Sequence, residues 1–510
     1  MVRNKLQRGY FIVVALIIII VIALFAATIV YMYLAATDSS TKFVSSERAY
    51  YSAQSGIEKA SYALLTVNVN EKLACTQINS SNPNFTNVSF VDGKFSVTAT
   101  YNQATTTLSS TINATDINVL VGSISGFVPQ GGVILIDREA ISYTSLGTNS
   151  FGGLVVRGVN GTTATTHFAG TKVSQKACSI VSVGTAQKSS VTLSKSIPEA
   201  GELWVVGNSG LILRGMANSW SQIASGTTAN LYDISMSNYS EGWVVGAPIN
   251  GQSTILHWNG TNFSSISNPG TTSLHGIWVV SDKETWVAGD GNLIMRWNGS
   301  QWTKSTIPSG STNFYGISIV DSNADGIGDF GFAVGDKGRV IKYEGGVWSD
   351  EDIKKNKDLM RVLTMSLLQA FACGDNTSLY WRRDPMANPQ WHDHNSPNTI
   401  IKGVAAFDYN NDGIADFGFS AGTNGATLKW HTNTPAWNNS VDSGGDINDI
   451  SALAANDIWA VGLFSGSYKI MHFDGSSWVA TTYSTSTPLN SIEAIGGFLQ
   501  NWEFLSRIYY

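Results

Sequence analysis

Two nine-residue segments carry oxygen-bearing side chains at one spacing. Asp321-Ser322-Asn323-Ala324-Asp325-Gly326-Ile327-Gly328-Asp329 and Asp408-Tyr409-Asn410-Asn411-Asp412-Gly413-Ile414-Ala415-Asp416 both read D-x-N-x-D-G-x-x-D, and both run on into Phe-Gly-Phe. Oxygens at loop positions 1, 3, 5 and 9, a backbone carbonyl at 7 and a glycine at 6 for the sharp turn make a cage for a hard divalent cation. The expected Ca2+ ligands are Asp321, Asn323, Asp325, Ile327 (through its carbonyl) and Asp329, and in the second loop Asp408, Asn410, Asp412, Ile414 and Asp416. A match that occurs twice in register argues against two ordinary Asp/Asn turns. The expected role is structural, clamping long hairpins.

Other chemistry is sparse. Three cysteines in 510 residues exclude a disulfide-rich scaffold, and no C-x-x-C spacing offers a zinc or redox site. Cys75 and Cys178 could pair if the head is exported; Cys373 replaces a valine inside a repeated strand and reads as an inert core residue. His167 has no acidic or cysteine companion nearby in sequence and reads as a turn-stabilising residue. No catalytic residues are expected, and the chain is not read as an enzyme. The turn Asp474-Gly475-Ser476-Ser477-Trp478 resembles the Asp-box hairpin of sialidases, but such an enzyme needs an arginine cluster, and apart from Arg382-Arg383 arginine is scattered. Charged residues make up 13%, with a net charge of −6, so the basic face that nucleic acid requires is missing.

The loops sit in a repeat. The strand pattern WVVG, WVVG, WVAG, FAVG, FACG, FSAG, WAVG ends at Gly207, Gly246, Gly289, Gly335, Gly374, Gly422 and Gly462, at intervals of 39 to 48 residues. An apolar strand precedes each copy. After each come a turn, a further strand and an aromatic: Trp220, Phe263, Trp302, Trp348, Trp391, Trp437 or Trp478. Four short strands per unit of about 40 residues predict propeller blades, and seven copies predict seven. The tryptophans recur at fixed blade positions, which marks them as packing residues rather than a sugar-binding surface. Closure is open at this stage: Ser190–Ser194 could supply the strand missing from the last blade, and residues 496–510 begin like another repeat without its signature. The Asp loops fall between the first two strands of the fourth and sixth units. They resemble the calcium loops of FG-GAP repeats in integrin-type propellers, whereas an EF-hand would need Glu where Phe332 and Phe419 stand.

At the other end of the chain, Tyr10–Thr37 holds no charge and exceeds the roughly 20 apolar residues that cross a bilayer. Arg3, Lys5 and Arg8 precede it, so the N-terminus is expected inside and the rest outside. Helical periodicity continues through Phe43, Tyr50, Ala53, Ile57, Ala60 and Leu64. A basic leader ending at Gly9, then Tyr10, then an unbroken apolar helix resembles the processing site of type IV pilins and pseudopilins. The stretch Glu47–Glu58 resembles the helix of PilX-type minor pilins.

The pilin resemblance implies cleavage after Gly9 by a prepilin peptidase, a mature Tyr10, and partners among other pilins or pseudopilins that contact the helix. It also implies residence in the cytoplasmic membrane before assembly, then on the pilus or cell surface. One departure matters. Most pilins have Glu at mature position five, where this chain has Val14, and a subunit lacking that charge suits a filament tip better than its shaft. A plain signal-anchor with a chance glycine is the alternative.

The expected organisation is a leader (1–9), a pilin-like transmembrane and amphipathic helix (10–66), a β-rich module (70–185) and a seven-bladed β-propeller (186–510), a mainly β protein. Within the module, Arg157-Gly158-Val159-Asn160-Gly161-Thr162-Thr163-Ala164 resembles a small module of pilin-like heads and phage tail proteins. The expected function is a minor pilin or pilus-tip subunit whose calcium-stabilised propeller binds a surface glycan or protein. The alternative is a membrane-anchored propeller that processes glycans or acts as an assembly factor, since the W-V-G repeat also resembles that of photosystem assembly propellers.

Overall fold

A computed structural model describes residues 3–66, 75–79, 81–89, 93–159, 162, 164–187, 189–198, 201–216, 219–323, 325–353, 356–375, 379–383, 391–393, 399–408, 412–431 and 434–495. Helix α1 runs unbroken from Arg3 to Thr66, about 95 Å at 1.5 Å per residue. It therefore passes through Gly9 and Tyr10 without a kink. Residues 15–44 stand exposed along it, with Phe25 68% exposed. Burial begins at Ser45, whose Oγ lies 2.5 Å from that of Ser189. From there Ala49, Ala53, Ile57, Ala60 and Leu64 are buried against a sheet. Phe43, expected on this face, is 65% exposed because it lies before the contact begins. The seat is close. A Cβ on Gly184 would lie 2.0 Å from the Ala49 carbonyl oxygen, so only glycine lets the helix backbone approach.

That sheet belongs to the β-rich module. Strand Lys172–Ala186 is its spine, pairing with Lys94–Thr107 on one side, and with Ser189–Pro198 and Gly132–Ile136 on the other. A disulfide joins Cys75 to Cys178 on the spine, with Cα atoms 5.8 Å apart, and its surroundings are Ile57, Leu64, Phe85 and Ile180. The expectation that Ser190–Ser194 closes the propeller is corrected here. Those residues hairpin back onto the spine from Val181 to Thr185, and the first propeller strand starts at Glu202.

Seven four-stranded antiparallel sheets follow among the described residues. In blade one the C-terminal strand Leu489–Ile495 is the innermost, paired with Glu202–Gly207. The ring is thus closed by the two ends of the repeat region. The tail 496–510 lies outside the described residues. In blades one, three, four, five and six the strand ending in the repeated glycine has all six residues buried. Neighbouring blades cover both of its faces, so it reads as a continuous apolar run rather than an alternation. Trp302, Trp348, Trp391 and Trp437 are buried in the packing between blades, and Cys373 is buried with Phe371 and Trp430.

The repeated glycine has one physical cause. A Cβ on any of the seven would lie between 1.8 and 2.3 Å from a carbonyl oxygen at the start of the neighbouring inner strand, such as that of Asn313 opposite Gly335. The inner strand crowds in there because it bulges. Its second or third residue has no ladder partner in any blade: Tyr232, His275, Tyr315, Met360, Lys402, Asn448 and Asn490. Such a bulge re-aims the extra residue's side chain.

Candidate functional site

The first Asp loop, between Phe314–Val320 and Phe330–Gly335 of blade four, is drawn together by its own acceptors. Asp321 accepts from the N–H of Asp325 (3.1 Å) and Gly326 (2.6 Å). Asn323 Oδ1 accepts from Asp325 N–H, and Asp325 Oδ1 accepts from Ile327 N–H. Asp329 reaches back to Ser322 and Asn323. Gly326 supplies the turn at φ +84°. Burial raises the Asp321 carboxyl against the pull of these N–H groups, and the charges of Asp325 and Asp329 add to the rise.

The second loop, in blade six, repeats this geometry. Asp408 accepts from Asp412 N–H and Gly413 N–H (2.7 Å), Asp412 Oδ1 accepts from Ile414 N–H, and Gly413 has φ +82°. Asp416 N–H bonds to the Phe407 carbonyl as Asp329 N–H does to Val320. Asn410 lies outside the described residues.

Each loop docks on the preceding blade in one way. Ser281 donates to the Gly326 carbonyl and Glu284 accepts from Gly328 N–H; Ser366 and Gln369 do the same for Gly413 and Ala415. Among the described residues no three His, Cys, Asp or Glu side chains converge as a formed metal cluster. The donor set remains all-oxygen, with three carboxylates and one amide in each nine-residue loop, and it fits a hard cation.

The module rests on the same face of the propeller as these loops. A Cβ on Gly326 would lie 2.4 Å from the ring of Phe168, over which Lys283 Nζ stands at 4.1 Å. Lys172 binds Glu241 (2.7 Å) and Lys176 binds the buried Glu202, which Arg214 also reaches. Here His167 is re-read: it does have acidic companions, in space. Its Nδ1 lies 2.6 Å from Asp137 and its Nε2 2.7 Å from Glu139, while Arg157 grips both Glu139 oxygens. Burial pushes the imidazole pKa down, but the two carboxylates outweigh it and lift it to about 9. Burial likewise works to raise Glu139, and His167 and Arg157 bring it below its usual value. This closed, buried network is structural, and it joins the propeller where Asp282 N–H donates to Asp137.

A second cluster lines the propeller axis around a cavity of about 100 Å3. Arg361 bridges Asp233 and Asp449, each at 3.2 Å, and Ser491 Oγ lies 2.8 and 2.6 Å from the same two carboxylates. A hydroxyl carries one hydrogen, so Ser491 can donate to only one of the two carboxylates at a time. Burial pushes the Asp233 carboxyl up, Arg361 pulls it down, and the neighbouring Asp449 charge adds to the rise. Arg138 of the module closes one end of the channel. It bonds Glu493 and Ser235 and lies over Trp278. Glu493 is pushed up to about 7, chiefly by burial. Sequence reasoning missed this cluster because its members come from separate blades. The available signal was the varied third residue of each aligned inner strand.

The ring of blades is a β-propeller. Solved structures with a similar fold include YCF48 bound to D1 peptide, at 16% identity and TM-score 0.42, covering 54% of this chain and 89% of that one. YCF48 from Cyanidioschyzon merolae (17%, TM-score 0.41) covers 53% and 90%. The WD40 repeats of RRP9 (10%, TM-score 0.41) cover 59% and 95%. At these identities the likeness concerns the fold alone. No protein-family model and no curated protein matches the chain.

Proposed function

We propose that the chain is a pilin-like minor subunit, placed at a pilus tip or comparable surface assembly, that displays a calcium-stabilised propeller for adhesion. The observation that carries this reading is the spatial order of the parts. The apolar half of α1 is bare, as a membrane and then a bundle of neighbouring helices require, while its second half is built into the module. The module is clamped by Arg138, Lys172 and Lys176 to one propeller face, and the opposite face is left for a ligand. The anchored N-terminus lies in the cytoplasmic membrane with the head outside, and prepilin peptidase and other pilins or pseudopilins are the partners. Calcium, when bound, supplies a charge that draws Asp321, Asn323, Asp325 and Asp329 together. The loop's bonds to Ser281 and Glu284 carry that stiffening to the next blade.

The test is the mature N-terminus. Mass spectrometry of protein from the native host should find Tyr10 first, and Gly9→Val should leave residues 1–9 attached. A wild-type protein that keeps those residues removes the pilin assignment and leaves a signal-anchor.

A further inference from the structure

The seven bulged residues ring the mouth of the channel on the face away from the module. The module meets the propeller in the later half of inner strands or just past them, at Ser235, Glu493 and Asp282, whereas the bulges lie at their beginnings. Core positions flanking each bulge stay apolar from blade to blade: Leu231 and Ile234, Leu274 and Ile277, Phe314 and Ile317. The bulged position does not. It carries an aromatic arc over three successive blades, Tyr232, His275 and Tyr315, and a polar arc on the opposite side, Lys402, Asn448 and Asn490. The polar arc works within the ring, where Lys402 donates to Asn448, Asn448 to the Leu489 carbonyl and Asn490 to the Leu231 carbonyl, whereas the three aromatic residues stand half-exposed at the rim.

The aromatic arc is ordered and backed by acids. Tyr232 and His275 stack with centroids 5.1 Å apart, and Tyr315 meets His275 at 5.3 Å. Asp290 binds His275 Nε2 (2.9 Å) and Asp336 accepts from the Tyr315 hydroxyl (2.7 Å). Asp358, Asp375 and Asp446 continue this acidic fringe, against Lys337, Lys357 and Lys402, so carboxylates predominate. Beneath, Arg361 is held between two channel carboxylates, Asp233 and Asp449, so this cation does not stand free to repel a cationic ligand.

We propose that this rim binds a cationic segment of a partner protein, an arginine-bearing loop or tail. A planar guanidinium stacks on aromatic rings and donates in a fork to carboxylates, which is the pairing the arc offers. A neutral sugar could also hydrogen-bond these carboxylates, but it gains nothing from their excess of negative charge, whereas a guanidinium does. The proposal deepens the reading of the propeller as a binding head. It is independent of processing at Gly9, so a failed processing test leaves it standing.

The experiment uses the full chain in detergent micelles, with a fluorescent hexa-arginine peptide and its hexa-citrulline counterpart as probes, read by anisotropy. The arginine peptide should bind at least about tenfold more tightly than the citrulline one, the effect of one good contact. The Tyr232→Ala, Tyr315→Ala double variant should lose about tenfold, with an unchanged thermal melt. Asp290→Asn should weaken binding, whereas Asp474→Asn, exposed on the far face, should not. Equal binding of the two peptides, wild-type affinity in the rim variants, or rim binding by chitotriose but not by hexa-arginine would each overturn it.

Discussion

Adding calcium to the metal-free protein should raise the melting temperature of the propeller, by an amount that follows from the two loops. In each, three carboxylates sit within nine residues, and their backbone N–H partners relieve only part of the repulsion between them. The loops are docked on blades three and five, so an ion held by them would bind the folded state in preference to the unfolded chain. Extracellular calcium modules bind at about 10⁻⁴–10⁻³ M. At about 10 mM calcium the linkage relation then gives roughly 1.4 to 2.7 kcal/mol per site, and about 3 to 5 kcal/mol for two. For a domain of this size that is a rise of about 5–10 °C. The assay is a thermal melt of the full chain in EDTA, in calcium, and in magnesium as a control. An Asp325→Ala, Asp412→Ala double variant should melt at one temperature in all three. A wild-type melt that does not move between EDTA and 10 mM calcium refutes the metal assignment, while leaving the propeller, which rests on the blades themselves, untouched.

Gly335→Ala should destabilise by about 1–3 kcal/mol or more, because its Cβ would lie 1.9 Å from the Asn313 carbonyl oxygen. Gly122→Ala, with no atom nearer than 3.7 Å, is the matched control, and chemical denaturation of both variants measures the contrast. His167 has its pKa raised from 6.5 to about 9 in the folded state. The native protein thus holds a proton that the unfolded chain releases between those values. Its contribution, roughly 3 kcal/mol, is full below pH 6.5 and lost as pH rises through 9. A stability difference between wild type and His167→Gln that stays constant from pH 6 to 9.5 would contradict the buried ion network.

Much of the architecture was legible because it is local and repeated. An apolar run of 28 uncharged residues reads as a membrane span whatever surrounds it. The W-V-x-G strand recurs because every blade has the same two neighbours, so one packing problem is solved seven times in the sequence. The matching shape of the two Asp loops was legible for a related reason: their carboxylates and turn glycine lie within nine residues, so local spacing alone sets how each loop folds.

What only the tertiary structure decided are contacts between residues far apart in the chain. Leu489–Ile495, and not Ser190–Ser194, closes the ring, because both are short apolar-alternating strands and only pairing geometry distinguishes them. His167 gained its acids from a hairpin 30 residues earlier, and Cys178 its partner across 103 residues. The axis cluster of Asp233, Arg361, Asp449 and Ser491 draws one residue from each of four blades, which no window of sequence contains. The bulges are the clearest case. The sequence displayed the seven glycines, but the carbonyl oxygen that excludes a Cβ at each, and the rim residue that the same distortion turns toward the mouth, exist only once two strands are laid side by side.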